Sequence, residues 1–137
     1  MRTRSYWGTT TERVSPGSSY QWRASAEESA MAASDPPLYK LIRDNVERGL
    51  ACRGYTLRPG DAPPEFFISL RMGSGVQPSS AGPANMALLA VEAHAPDGRI
   101  IWRGWAEGTL DPTQPPEVRK ARIELAICQI LDEFRRL

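Results

Sequence analysis

The sequence predicts an α+β fold: a two-layer sandwich made of a mostly antiparallel sheet of four to five strands with two helices packed on one face. Two observations favour this fold. Segments with strand-like alternation follow one another through short turns, which is typical of antiparallel pairing. Helical patterns stand on either side of that run of strands, which is typical of helices gathered on one face of such a sheet.

Length and charge limit the classes of function. The chain has 137 residues, enough for one domain with a single core. Its formal net charge of +1 supplies no field that would attract a nucleic acid, and its apolar runs are much shorter than the roughly 20 residues of a transmembrane helix. We expect a flexible N-terminal segment over 1–17 and one α+β domain over 18–137, with no nucleic-acid partner and no transmembrane segment.

The first elements are a short strand and a helix. The stretch "SYQWR" at 19–23 predicts the strand, and the small polar stretch "ASAEESAMAASD" predicts a linker. A helix follows, because Asp35 can cap it, Pro36 suits its first position and Gly54 can adopt the left-handed conformation that ends it. Apolar residues recur at helical spacing: Leu38, Leu41, Ile42, Val46 and Leu50.

Strands fill the middle of the chain. The stretch "YTLRP" predicts a short strand, and "EFFISLRM" at 65–72 predicts a longer one. The Gly-, Ser- and Pro-rich stretch 73–85 predicts a mobile loop. The stretches "MALLAVEAH" and "RIIWRGWAEGTL" flank "APDG" and predict a hairpin. The closing stretch "PPEVRKARIELAICQILDEFRRL" predicts the second helix, since its apolar residues share one face.

The loop of this hairpin decides which residues share a face. Alternation places Trp102 and Gly104 on an uncharged face that we expect to meet the helices, and Trp105 on the other face. An even loop brings Glu92 beside Arg103, whereas a three-residue loop with a glycine bulge would reverse the pairing. We favour the even loop because it keeps these two charges together on the polar face.

Trp105 lies between Arg103 and Glu107 on the predicted outer face, where Arg71 can join them. A covered Trp105 with an arginine stacked on its ring would be structural. An exposed tryptophan beside an arginine is the kind of anchor that interfaces use. The candidate interaction surface therefore consists of Arg71, Arg103, Trp105 and Glu107, and the sequence leaves both interpretations open.

Catalytic and metal sites are not predicted. His94 is the single histidine, no nucleophile signature surrounds any serine, and we expect this histidine at the surface or in a turn. One histidine and two distant cysteines match no metal-ligand spacing. Adjacent carboxylates such as Glu27 and Glu28 point apart on a helix and predict solvated surface. We expect a protein that is not an enzyme, with no catalytic residue, no metal and no cofactor.

Cys52 and Cys128 are the two cysteines, and each falls on a predicted helix. In an intracellular chain two cysteines are ordinarily free and partly buried. In an oxidising compartment a disulfide between them is feasible if the two helices pack side by side. The sequence leaves both states open.

Several stretches together carry a family resemblance: "SYQWR", "DPPLYKLIRDNVERGLACRGYTL", "EFFISLRM", "IIWRGWAEGTLD" and "RKARIELAICQILDEF". The helix exit "ACRGY" and the strand "WRGWAEG" are the most telling. Over roughly residues 18 to 136 the chain resembles domain of unknown function 4136, a family of bacterial envelope lipoproteins. The resemblance implies an envelope location, a lipid-bearing N-terminal cysteine, an unassigned binding or structural role and no catalytic residue.

The location follows from this resemblance and from the start of the sequence. No leader is visible and no cysteine precedes Cys52, which departs from the family pattern. We expect a periplasmic or outer-membrane-associated protein if a leader is missing from this sequence, and a cytoplasmic one otherwise.

The leading functional hypothesis is a non-catalytic bacterial envelope protein that binds an envelope protein or an apolar ligand through its outer sheet face or the loop. The alternative is a small enzyme or small-ligand binder with a polar site between the loop 73–85 and the sheet. A deep polar pocket with a perturbed Glu or His would favour that alternative. A third hypothesis is a structural subunit, such as a homodimer, joined by a self-complementary apolar patch.

Overall fold

The computed structural model describes residues 2–6, 17–23, 26–58, 63–79, 82–109 and 115–135. Within these ranges the chain forms three helices and one six-stranded sheet. The elements in chain order are β1 (Arg2–Tyr6), β2 (Ser19–Trp22), α1 (Ala26–Ser34), α2 (Pro36–Cys52), β3 (Thr56–Leu57), β4 (Phe66–Ser79), β5 (Gly82–His94), β6 (Ile100–Thr109) and α3 (Pro116–Arg135).

The sheet is mostly antiparallel and has the strand order β1-β6-β5-β4-β2-β3. Strands β4, β5 and β6 form an antiparallel meander, and β1 pairs antiparallel with β6. Strand β2 is parallel to both β3 and β4, because α1 and α2 return the chain to the end of the sheet where β2 begins. The predicted α+β class is confirmed, with six strands and three helices among the described residues.

Helix α2 begins and ends where the sequence predicts. The Asp35 carboxylate accepts a hydrogen bond from the amide of Leu38 at 3.3 Å, which caps the first turn. At the exit Gly54 has a φ of 91°, and the amide of Tyr55 bonds to the carbonyl of Leu50 at 3.0 Å. The glycine therefore turns the chain back over the end of the helix, so that Tyr55 is buried in the core.

Arg53 joins the end of α2 to α3. Its guanidinium donates to the carbonyl of Gly49 at 2.9 Å and to the carbonyl of Cys128 at 3.1 Å, and it forms an ion pair with Asp132. A Cβ atom on Gly49 would lie 2.5 Å from Leu131 Cδ1, so the two helices approach closely at this glycine. The segment "ACRGY" thus both ends α2 and connects it to α3.

No described helix is long and apolar enough to cross a membrane.

Trp102 fills the core between the sheet and α3. It is fully buried, and its ring lies 4.8 Å, centroid to centroid, from that of Phe134. A Cβ atom on Gly104 would lie 2.5 Å from the Trp102 ring and 2.9 Å from Ile130. The predicted placement of Trp102 and Gly104 on the face that meets the helices is therefore confirmed, and the bare backbone of Gly104 lets α3 approach the strand closely.

The predicted pairing of the β5–β6 hairpin is confirmed, but the predicted even loop is wrong, because a hydrogen bond of 2.8 Å from the Ala95 amide to the Arg99 carbonyl closes a three-residue loop at 96–98. Glu92 lies opposite Arg103, and Ala93 lies opposite Trp102. The pairing shifts by one residue next to the turn, where His94 lies opposite Ile100, as in a β-bulge. Because this shift lies outside the pairs that carry the tryptophans, the predicted division of β6 into two faces is confirmed.

The predicted loop over 73–85 is wrong for the described residues. Residues 73–79 and 82–85 belong to β4 and β5, which continue as a two-stranded ribbon past the end of β6. Pro78 lies opposite Pro83 in this ribbon. The amide of Leu70 points away from β5, so by alternation the nitrogen of Pro78 does too. The two prolines therefore remove no hydrogen bond from the ribbon, which explains how a Pro-rich stretch can pair.

Three other predictions are corrected. Residues 2–6 form β1, although the sequence predicted a flexible segment over 1–17, and residues 7–16 lie outside the described ranges. Helix α1 replaces the predicted linker, since its alanines and glutamates are good helix formers. Glu28 in this helix is buried instead of solvated, because its carboxylate accepts hydrogen bonds from the Tyr39 hydroxyl at 2.8 Å and from the Leu70 amide at 3.4 Å.

Candidate functional site

The face of the sheet opposite α2 and α3, here called the outer face, carries the predicted interaction surface. Residues directly opposite each other in antiparallel strands share a face, so the register assigns each side chain. Two adjacent rows cross the three central strands: Ser69, Glu92 and Arg103 in one, and Arg71, Ala90 and Trp105 in the other. Glu107 lies on the same face as Trp105, two residues further along β6.

Glu92 lies at the centre of this face. Its side chain is 1% exposed, and each carboxylate oxygen has an arginine partner. Oε1 accepts from Arg71 Nε at 2.8 Å and Oε2 accepts from Arg103 Nε at 2.6 Å. A buried carboxylate is costly unless it is paired and hydrogen-bonded, so the two guanidiniums are what permit it here. The structure thus brings together two of the four predicted surface residues, Arg71 and Arg103, through Glu92 between them.

The two arginines determine the charge state of this carboxyl. Burial alone raises the pKa of Glu92, but the hydrogen bonds and positive charges of Arg71 and Arg103 outweigh it, so the pKa lies below its usual range. Glu92 is therefore ionised at neutral pH. It holds both guanidinium groups in place while the arginine side chains stay 46% and 37% exposed.

A serine and a histidine lie beside this cluster. Ser69 Oγ is 2.8 Å from His94 Nε2, and the same nitrogen is 3.8 Å from Glu92 Oε1. In a hydrolytic triad the serine and the carboxylate bond to opposite ring nitrogens, whereas here both approach Nε2. Ser69 is also buried. The arrangement therefore differs from a hydrolytic triad, although it keeps a serine and a histidine in contact. His94 is mostly buried at the end of β5, which corrects its predicted place at the surface or in a turn.

Aromatic side chains flank the charged cluster on the outer face. Trp105 is partly exposed next to the small side chain of Ala90. Towards the other end of the strands, the Arg23 guanidinium lies 3.9 Å from the centroid of the Phe67 ring, within cation–π range. The outer face therefore offers partly exposed aromatic rings and arginine side chains near one buried carboxylate.

Three members of the cluster were not predicted as site residues: Ser69, Glu92 and His94. A signal was present, because β4 and β5 each carry alternating polar residues within otherwise apolar strands.

The two cysteines lie on the helices, away from this cluster. Cys52 and Cys128 are free and exposed on the helices, so the expected partial burial of the thiols is not found.

No protein-family model matches the chain, and no curated protein matches it in sequence. Several solved structures share its fold. PelC from Paraburkholderia phytofirmans, solved as a dodecamer, aligns with a TM-score of 0.59 and 11% identity over 98% of this chain and 96% of its own. A Xanthomonas campestris protein of the DUF330 family aligns with a TM-score of 0.51 and 11% identity over 91% of this chain and 85% of its own.

A longer protein contains the same fold as one part. A PDZ domain protein from Parabacteroides distasonis aligns with a TM-score of 0.69 and 9% identity over 98% of this chain. This chain spans only 35% of the length of that protein. At these identities the likenesses establish a shared fold and carry no site residue from one protein to another.

Proposed function

We propose that this chain is a non-catalytic module of the bacterial cell envelope that binds a protein or an apolar ligand through the outer face of its sheet. One observation carries the proposal. Glu92 is buried and holds two partly exposed arginines beside the partly exposed Trp105. Arginine and tryptophan are the residues that most often dominate binding energy at protein interfaces.

The energetics of the cluster favour recognition over stability as its role. Replacing a buried ion pair by well-packed apolar residues is often neutral or stabilising, so a buried carboxylate is a poor way to stabilise a sheet. Its effect on the arginines is different. Each guanidinium is oriented before a partner arrives, which reduces the side-chain entropy that binding must remove. The cluster therefore suits a surface that presents ordered donors to a partner.

The envelope part of the proposal comes from the resemblance to domain of unknown function 4136. Its two most telling segments have clear structural roles here: "ACRGY" fastens α2 to α3, and "WRGWAEG" packs Trp102 against Gly104. The shared fold of a DUF330 family protein is consistent with a module of unassigned role. Self-association is a further part of the proposal, since PelC has this fold and is a dodecamer.

Photo-crosslinking in the source cells tests the outer face directly. Benzoylphenylalanine replaces Trp105 in one variant and Leu125 in a matched control. Leu125 is 59% exposed on α3, on the opposite side of the sheet, so it controls for exposed apolar surface. We expect defined crosslinked species in the envelope fraction from position 105 and none of these from position 125. Equal patterns from both positions, or none from position 105, would contradict the proposal.

A second candidate is an enzyme or a small-ligand binder that uses the polar cluster, with the ribbon in place of the predicted loop. The 2.8 Å contact between Ser69 Oγ and His94 Nε2 is the observation that favours it. A fluorophosphonate probe distinguishes this candidate. Labelling that is lost in Ser69→Ala would support a serine hydrolase, and a chain that stays unlabelled would argue against one.

A further inference from the structure

The charged cluster on the outer face carries one more positive charge than negative. Glu92 is ionised at neutral pH and supplies one negative charge, whereas Arg71 and Arg103 supply two positive charges. The negative charge is hidden, since the Glu92 side chain is 1% exposed, but the two arginine side chains are 46% and 37% exposed. A molecule that approaches this cluster from solvent therefore meets positive charge.

A single carboxylate holds the two guanidinium groups close together. Arg71 Nε lies 2.8 Å from Glu92 Oε1, and Arg103 Nε lies 2.6 Å from Glu92 Oε2. Because both oxygens belong to one carboxylate, the two positive charges converge on the same spot from strands that flank β5. One small anion can therefore interact with both side chains.

Arg103 keeps hydrogen-bond donors for such an anion. A guanidinium has five N–H groups, and the contacts of Arg103 with Glu92 use Nε and Nη2. Within the described part of the chain, Nη1 of Arg103 has no hydrogen-bond partner. The planar guanidinium group binds carboxylate oxygens in a defined geometry, and such charge-assisted hydrogen bonds are stronger than neutral ones.

The size of the excess charge favours a carboxylate over a phosphate group. A carboxylate carries one negative charge, which matches the excess of one positive charge in the cluster. A phosphate monoester carries about −1.5 to −2 at neutral pH, and it would also approach the partly exposed Glu107 on the same face. The formal net charge of the whole chain is only +1, which provides no field for an anionic membrane surface.

Trp105 provides an apolar contact next to the cluster. It lies in the same row as Arg71 and Ala90, adjacent to the row that contains Arg103, and its side chain is partly exposed. A protein segment that has an acidic residue close to an apolar one can therefore contact the arginines and the indole ring at the same time.

We propose that the outer face recognises an acidic residue of a protein partner, whose carboxylate binds to Arg103 and Arg71 while a nearby apolar side chain of the partner contacts Trp105. The proposal rests on the proposed function, since it names the chemistry by which the same face binds its partner. In the complex two guanidinium groups face two carboxylates, one from Glu92 and one from the partner, so the charges balance.

NMR spectroscopy of the full chain tests the carboxylate site without knowledge of the partner. Acetate is the probe, and acetamide is a neutral control of the same shape, with the ionic strength held constant by sodium chloride. The Nε–H signals of Arg71 and Arg103 report on the site. Arg99 is the internal control, because its side chain is 50% exposed but is paired with the exposed Asp97.

We expect acetate to shift the signals of Arg71 and Arg103 along one common saturation curve, and acetamide to shift neither. The shift of Arg99 should be several-fold smaller. In Arg103→Gln the dissociation constant for acetate, read from Arg71, should rise about tenfold. Arg99→Gln should leave it unchanged, and the backbone amide signals confirm that each variant is folded.

Two results would overturn the carboxylate site. The first is an acetate response that is equal at Arg99 or is reproduced by acetamide. The second is tighter binding of inorganic phosphate than of acetate. Crosslinking from position 105 separates this proposal from the proposed function. Crosslinks without acetate binding would mean that the outer face binds its partner by other chemistry, whereas acetate binding without crosslinks would overturn the proposed function itself.

Discussion

The two faces of the sheet bury their central residues by different means. On the face towards the helices Trp102 is buried by apolar contact, against Phe134 and the bare backbone of Gly104. On the outer face Glu92 is as deeply buried, but its burial depends on two arginines from neighbouring strands. A buried apolar side chain requires neighbours of matching shape, whereas a buried charged side chain requires partners of opposite charge. This difference predicts how the stability of the protein responds to substitutions on each face.

Trp102→Ala is expected to have the largest effect on stability. The change removes a fully buried ring and leaves a cavity between the sheet and α3, so we expect the free energy of unfolding to fall by about 3–5 kcal/mol. Urea unfolding followed by circular dichroism measures it. A loss of about 0.5 kcal/mol or less, the size typical of surface substitutions, would mean that Trp102 does not organise the core.

Gly104→Ala tests shape on the same face without removing any contact. A Cβ atom here would overlap the Trp102 ring and approach Ile130, so the strand or the helix must shift. We expect a loss of about 1–3 kcal/mol in the free energy of unfolding. Gly98→Ala is a useful contrast, since nothing lies near its Cβ position and its cost arises only from its φ of 96°. A stability unchanged in Gly104→Ala would contradict the close approach.

Glu92→Gln tests the charged burial of the outer face. The side chain keeps its shape but loses its charge, and the partly exposed arginines can hydrate, so we expect a loss of about 1–2 kcal/mol at neutral pH. Glu107→Gln is the matched control, a carboxyl on the same face that is partly exposed. An equal loss in both variants would argue against a special role for Glu92.

The same variant predicts a pH dependence. The pKa of Glu92 is lower in the folded chain than in the unfolded one, where a glutamate titrates near about 4.3. Its contribution to stability is therefore complete above the unfolded pKa and is lost as the pH falls through the folded pKa. The stability difference between the unmodified chain and Glu92→Gln should be constant from about pH 7 to 5 and should shrink at lower pH. A constant difference down to about pH 3 would contradict this assignment.

Trp105→Ala is expected to have the smallest effect on stability, although the residue type is the same as at position 102. Its ring is partly exposed on the outer face, so we expect a loss of about 1 kcal/mol or less in the free energy of unfolding. Urea unfolding in parallel with Trp102→Ala provides the comparison. Similar losses for the two tryptophans would remove the distinction between the faces.

The sequence predicted those parts of the fold that depend on local signals. The Asp35 cap and the exit at Gly54 follow from residues close together in the chain, whereas the pairing of Glu92 with Arg103 depends on a shift next to the turn that the sequence did not predict. The ribbon was not predicted, because composition alone favours a loop and the pairing of Pro78 with Pro83 depends on the direction of each strand's backbone groups.

The site was predicted in part for a related reason. Alternation placed Arg103, Trp105 and Glu107 on one face of β6, and the structure agrees. The central role of Glu92 was not predicted. Its partner Arg71 lies on the neighbouring strand β4, and the sequence did not predict the register of the β4–β5 hairpin that brings the two side chains together. Glu28 was assigned to solvent because its partner, the Leu70 amide, lies on a distant strand.

Crosslinking in a Glu92→Gln background tests most directly whether Glu92 orders the outer face for binding. Benzoylphenylalanine at position 105 crosslinks the partner. The control chain carries the same crosslinker at position 105, with Glu107→Gln in place of Glu92→Gln. We expect the yield of the position-105 crosslinks to fall several-fold in Glu92→Gln and to be largely kept in Glu107→Gln, while both chains stay folded. An unchanged yield in Glu92→Gln would show that the buried carboxylate serves the fold and not recognition.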